Sequence, residues 1–189
     1  MTRAIIFDCF GVLTTEAWLP FKAKYFGDSP GLYEEATQAS WKADVGEISY
    51  DDFIKKVARL ADITPQAAHL AIARNVPNEE LFNYIDELKH DFKIGLLSNV
   101  VSGYLEKLFS TDQLARFDNI SISFDSGVRK PDQQAYEIAA KGLGVKTHEC
   151  VFIDDQDRNV VGAQRTGMTT VLYKNVKQLR SDLSQILNT

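Results

Sequence analysis

RAIIFDCFGVLT, residues 3–14, runs from four consecutive apolar residues, Ala4–Phe7, into a carboxylate, Asp8, and then into a loop that contains Gly11. A short, continuously apolar run is what a strand buried on both faces of a parallel sheet requires. A polar residue at its carboxyl end is where such sheets place ligand-binding groups. Four further runs qualify as partners: FKIGLL from Phe92, NISIS from Asn119, CVFI from Cys150 and TTVLY from Thr169.

Helical patterns separate these runs in the second half. PDQQAYEIAAKGLG opens with Pro131 at a favourable first-turn position and closes on glycines. NVVGAQRTG starts at a capping residue, Asn159, and stops at Gly167. Strands alternating with helices of this length predict an α/β fold with a doubly wound parallel sheet. Residues 15–89 break the alternation. YDDFIKKVARLA and NEELFNYIDELK are amphipathic helices, and no strand lies between them. That insert exceeds what one crossover needs. It reads as an all-helical cap over residues 15–89, with its last helix open to assignment to the core, and residues 1–14 and 90–189 form the core itself.

Composition narrows the function. A net charge of -5 argues against a nucleic-acid binder, which needs a basic face for phosphates. No run reaches the ~18 apolar residues of a membrane span, and the first residues show no signal-peptide pattern. A cytoplasmic chain is the expectation, with no membrane and no nucleic-acid partner. Cys9 and Cys150 make no disulfide framework, and His69, His90 and His148 lack metal-ligand spacing.

The polar residues sit at the strand ends. The first strand delivers Asp8, the second Ser98 and Asn99, and the fourth Asp154 and Asp155, with Asn159 one turn later; Lys130 stands in the loop SGVRKPD. Carboxylates, a hydroxyl, an amide and an ammonium suit phosphoryl transfer, whose transition state spreads negative charge over oxygens that cations and N–H groups stabilise. Asp8 and Asp155 offer oxygen ligands to Mg²⁺. Lys130, the Ser98 hydroxyl and the loop amides after Asp8 are placed to hold phosphate, and Asp8 to act as nucleophile. Competing readings are weaker. GLGVKT lacks P-loop spacing, Ser98 is not in a nucleophile elbow, and strand alternation turns Cys9 away from the face of Asp8.

At these residues the chain resembles the haloacid dehalogenase-like (HAD) hydrolases. FDCFGVLT, LLSN, RKPDQQAYE and FIDDQDRNVVGAQRTGM match the four motif regions in order, across residues 1–14 and about 90–175. The resemblance implies a Rossmann-like core with an inserted α-helical cap. The doubled acid with a later Asn, and GEIS in the cap, are similar to sugar-phosphate phosphatases and the N-terminal phosphatase domain of soluble epoxide hydrolase. It also implies roles: Asp8 as nucleophile and magnesium ligand, Ser98 and Asn99 as contacts to the transferring group, and Lys130 as the cation that steadies nucleophile and phosphate. Asp155 becomes a direct magnesium ligand, with Asp154 and Asn159 in support, and the substrate a small phosphorylated metabolite.

Phe10 departs from that pattern. The resembling phosphatases carry a second Asp there for proton transfer, while its main-chain carbonyl binds magnesium, which Phe10 can still offer; Phe10 and Gly11 are also expected to contact the phosphate. Three readings follow: a 2-haloacid dehalogenase; a phosphatase whose leaving group needs little protonation; and a catalytically decayed fold that binds a ligand or partner. Asn159 in place of Asp, and no arginine between Arg3 and Arg59, stand against the first. Trp18, Phe21, Lys22, Lys24, Tyr25, Trp41 and Lys42 are candidates for the cap side of a pocket. Arg129 is expected to face solvent, and Asp132 to be a first-turn acid.

Overall fold

The computed structural model describes residues 1–187. Five parallel strands form one sheet: β1 (Ala4–Phe7), β2 (Lys93–Ser98), β3 (Asn119–Ile122), β4 (Cys150–Asp154) and β5 (Thr169–Leu172), in the order β3-β2-β1-β4-β5. These are the five runs expected from the sequence. β1 is central, with Phe7 opposite Leu96 on one side and Ile153 on the other. The order reverses beside β1, so the loops after β1, β2 and β4 open into one crevice.

Between β1 and β2 lie α1 (Trp18–Phe26), α2 (Pro30–Asp44), α3 (Tyr50–Leu60), α4 (Pro65–Ile72) and α5 (Glu79–Leu88). Local chemistry sets their limits. Ser49 caps α3 through the Asp52 amide, with Asp51 and Asp52 at the positive end of the helix dipole. Phe53, Ile54, Val57 and Ala58 make its buried stripe. The chain leaves β1 and returns from α4 along paired segments: Thr15 N donates to Val76 O at 3.0 Å, and Asn78 N to Leu13 O at 2.9 Å. Asn78 then caps α5, whose Phe82 packs edge-on against Phe109 at 5.4 Å.

After β2 come two single turns, α6 (Leu105–Leu108) and α7 (Thr111–Leu114). A third, α8 (Ser123–Ser126), follows β3, and then α9 (Gln133–Gly142), α10 (Asp157–Arg165) and α11 (Val176–Leu187) complete the chain. Alternate residues of β1 face opposite cores: Ile5 and Phe7 join an apolar cluster that continues into the helical insert, while Ala4 and Ile6 face α9 and α10. No helix among the described residues is long and apolar enough to cross a membrane.

Two helix starts differ from the sequence reading. α9 begins after Asp132, which is its cap and accepts from Gln134 N at 3.0 Å, so Pro131 lies outside the helix. α10 begins at Asp157, which puts Asn159 inside it, free to reach Asp154.

α10 meets the Lys130–Pro131 loop through Gly162, where an added Cβ would lie 2.8 Å from Pro131 Cβ, Pro131 O and Tyr136 Oη. Gly162→Ala is therefore expected to destabilise the fold by about 1–3 kcal/mol through overpacking. The readout is a lower urea midpoint at unchanged slope; an unchanged midpoint would show slack at this contact.

Candidate active site

Asp8 follows β1 and its amide donates to Ile153 O at 2.9 Å, which fixes it beside the end of β4. Asp154 and Asp155 come from that end. One oxygen from each of the three carboxylates lies within 4.8 Å of the others. Into this cluster the loop before α9 delivers Lys130, buried to 2% exposure. Its Nζ donates to Asp8 Oδ1 at 2.5 Å and to Asp154 Oδ2 at 2.8 Å.

The surrounding bonds separate the roles of the acids. Asp154 Oδ1 accepts from Gln156 N at 2.9 Å and Asn159 Nδ2 at 3.1 Å, so this carboxylate is occupied by the protein. Asp155 Oδ1 is enclosed and has no hydrogen-bond partner. Asn99 is spent on Lys130: its Oδ1 accepts from Lys130 N at 2.8 Å, and its Nδ2 donates to Lys130 O at 3.0 Å. Gly11 N donates to Thr14 O at 2.8 Å, which removes that amide from the pool of phosphate donors. Ser98 is fully buried at the end of β2, and its hydroxyl has no partner. Cys9 is buried in the core, as alternation along the strand requires.

Three carboxylates around one ammonium leave the cluster short of positive charge. Burial raises the pKa of Asp8, the Asp154 charge adds to this, and Lys130 opposes it. Burial works to lower the Lys130 ammonium, but Asp154 and Asp8 outweigh it, and its pKa ends above the ordinary value. Burial, then the Asp154 charge, pushes Asp155 up to about 6. A divalent cation fits these donors: hard cations take carboxylate oxygens, and Asp155 has one buried oxygen without a partner. Gly11, at φ +88°, keeps the space open. A Cβ there would fall 2.2 Å from Asp155 Oδ2.

A cavity of about 140 Å³ lies over the cluster. Asp8, Phe10, Asn99, Lys130 and Asn159 form its floor. Of the candidates from the helical insert, Trp18, Lys22 and Trp41 line it, whereas Phe21, Lys24, Tyr25 and Lys42 do not. Phe10 stands against Tyr104, with ring centroids 6.1 Å apart. Arg129 does not face solvent: it pairs with Asp44 at 3.4 Å, lies 4.6 Å from the Trp41 ring and lines the cavity. The end of α2 folds over it, a contact that local sequence does not encode. Glu16, Asp44, Tyr104 and Arg158 also line the cavity. Glu16, Asp44 and Tyr104 lie outside the motifs, while Arg129 and Arg158 lie inside motif segments whose pattern assigns them no role.

The model of the haloacid dehalogenase-like hydrolase family matches residues 2–167. The chain belongs to this family. Among curated relatives, it is 27% identical to Phosphatase MT3486 of Mycobacterium tuberculosis, over 98% of this chain and 93% of that protein. It is 36% identical to the glyceraldehyde 3-phosphate phosphatase of Methanopyrus kandleri, over 46% of this chain and 38% of that protein. Among solved structures, a predicted HAD-like family hydrolase from Porphyromonas gingivalis superposes with a TM-score of 0.77 at 25% identity, covering 100% of this chain and 99% of the other. HAD family enzyme bt-2542 of Bacteroides thetaiotaomicron, solved with magnesium and inorganic phosphate, gives 0.74 at 18% identity, over 95% and 99%.

Lys130→Met tests the charge balance of this HAD-like site. In the variant, Asp8 keeps the two causes that raise it and loses the cation that lowers it. The folded state then holds a proton that the unfolded chain has released, so stability falls as pH rises above the ordinary carboxylate range. Wild-type Asp8 is itself raised to about 8, so with EDTA present the two proteins lose stability in parallel below that pH, and the deficit against wild type should widen from pH 7 to pH 9, reaching about 3–5 kcal/mol at the upper end. Equal deficits at both pH values in urea unfolding would contradict the assignment.

Proposed function

We propose that the chain is a magnesium-dependent phosphatase of a small phosphorylated metabolite, working through an aspartyl-phosphate on Asp8. The observation that carries this reading is the surplus carboxylate: Lys130 serves Asp8 and Asp154, while Asp155 keeps a buried oxygen with no partner. A dehalogenase, which works without magnesium, has no use for that acid. The relative from Mycobacterium tuberculosis, matched over nearly its whole length and named a phosphatase, supports the same reading. The likeness to the L-2-haloacid dehalogenase of Xanthobacter autotrophicus, at 21% identity and a TM-score of 0.66, shows the fold alone.

Asp8, Asp155 and the Phe10 carbonyl would hold Mg²⁺, which supplies the positive charge that lets one anion approach another. Lys130 fixes Asp8 Oδ1 and leaves Oδ2 to attack phosphorus. The bond from Oδ2 to phosphorus forms as the bond to the leaving oxygen breaks, and that oxygen departs with the electron pair. Water then hydrolyses the acyl phosphate, which restores the carboxylate and releases inorganic phosphate. Lys130, the Phe10 amide and the unpartnered Ser98 hydroxyl hold the phosphoryl oxygens, and Asn99 acts by holding the Lys130 main chain. Asp154 and Asn159 orient Lys130.

Phe10 cannot move a proton. General acid assistance contributes about 10²–10⁴ in rate, so good substrates have leaving groups that depart as stable anions: acyl, aryl or anomeric sugar phosphates. Phosphate release from p-nitrophenyl phosphate, acetyl phosphate and a sugar 1-phosphate should require Mg²⁺, vanish in Asp8→Asn, and exceed release from the matching sugar 6-phosphate. Folded protein with no release from any of them would indicate a binding protein. Metal-independent halide release from chloroacetate would indicate a dehalogenase.

A further inference from the structure

The cavity contains four cations, and three have an evident counterpart. Lys130 is held by Asp8 and Asp154, Arg129 pairs with Asp44, and Arg158 is exposed to water with its Nε on Gln156. Lys22 on α1 is different. It is 5% exposed, and among the described residues no carboxylate lies within the 4.0 Å of an ion pair. Its Nζ donates to Thr37 Oγ1 at 3.0 Å, and Thr37 Oγ1 in turn donates to Tyr33 O at 2.8 Å. The remaining contacts are the Tyr33 ring at 4.4 Å and the Trp18 ring at 5.5 Å. Burial raises the pKa of Glu16, and Lys22 opposes that only after the Leu19 and Trp18 amides at the start of α1, to which Glu16 Oε1 is committed.

Buried charges are ordinarily paired with an opposite charge. One hydroxyl and two aromatic faces compensate an ammonium only partly, and an apolar residue of similar length would cost less. A charge in that position, lining the cavity that holds Asp8, is expected where a ligand completes it. We propose that Lys22 binds a second anionic group of the substrate, a carboxylate remote from the phosphoryl group. A single ammonium matches a singly charged carboxylate better than a phosphate dianion. Trp18, on the same wall, packs against the apolar body between the two anions. The inference rests on the Asp8 end being a phosphoryl site; it does not require turnover.

The test uses inert ligands: ω-carboxyalkyl phosphonates with two to six methylenes, each beside its carboxamide, titrated calorimetrically into wild type, Lys22→Met and Lys22→Gln with Mg²⁺ present. For at least one length, wild type should bind the carboxylate about tenfold tighter than the carboxamide. Both variants should bring that ratio to about one, by weakening the carboxylate more than the carboxamide. Lys22→Met should melt at or above the wild-type temperature, as expected of an apolar replacement for a buried charge. No preference at any length in wild type, a preference that survives in the variants, or a marked fall in the melting temperature of Lys22→Met would overturn the proposal. Preference for the carboxylate without phosphate release from p-nitrophenyl phosphate would leave the Lys22 site standing and remove the phosphatase.

Discussion

The Lys130 ammonium, buried between Asp8 and Asp154, is the contact on which the rest of the site depends. It joins the ends of two neighbouring strands to a loop far away in the chain, and each part around it serves to hold it. Asn99 clamps its main chain, and Asn159 and Gln156 N fill Asp154 Oδ1, the oxygen that Lys130 leaves open. Tyr136 donates to Asn159 O at 2.8 Å, tying α9 to α10 beneath the cluster. A buried ion pair of this kind adds little to stability, because desolvation consumes most of the Coulombic gain. What it secures is position. The apolar layers on both faces of β1 supply the stability that lets three acids stay together.

The same contact explains the electrostatic character of the pocket floor. One ammonium cannot neutralise three carboxylates, and burial makes the excess charge expensive. The shifts of Asp8 and Asp155 toward the protonated form, and of Lys130 toward the charged form, are one effect seen from three sides. Phe10 adds no further acid. Its ring packs toward Tyr104, and the loop that carries it is closed by Thr14 N donating to Cys9 O at 3.0 Å. The site is organised to gather positive charge around Asp8 and has no proton donor at the position after Cys9.

Much of this was legible in the sequence because the floor is made of strand ends. A buried strand needs an apolar run, and the residue that ends the run is marked by its polarity. That logic located all five strands, and it located Asp8, Ser98, Asn99, Asp154 and Asp155 at their ends. It failed where position depends on packing between distant segments. Arg129 looks like a solvent-facing neighbour of Lys130 until Asp44 and Trp41 close over it. Asn159 looks like a helix cap until α10 begins two residues earlier, at Asp157, and turns the amide onto Asp154. Glu16 and Tyr104 carry no motif: Glu16 lines the cavity where the segments entering and leaving the insert are paired, and Tyr104 reaches it from the loop after β2.

That division has a physical consequence for specificity. The floor residues come from elements locked by sheet hydrogen bonds, so their geometry is set by the core and serves a common chemistry. The walls come from helices that touch the core through fewer points, among them Ser123 Oγ donating to Asp44 O at 2.6 Å and the Arg129–Asp44 pair. Changes in the insert can alter Trp18, Lys22 and Trp41 without disturbing Lys130 and its carboxylates. Phe10 lies at the boundary, with its main chain in the floor loop and its ring toward the wall. A substitution at that position changes the wall and leaves the placement of Asp8 intact, because the backbone of the loop is held by Cys9 O and Thr14 O. On the phosphatase reading proposed above, substrate choice would be exerted twice: by the leaving-group chemistry that Phe10 permits, and by what the aromatic and cationic wall accepts.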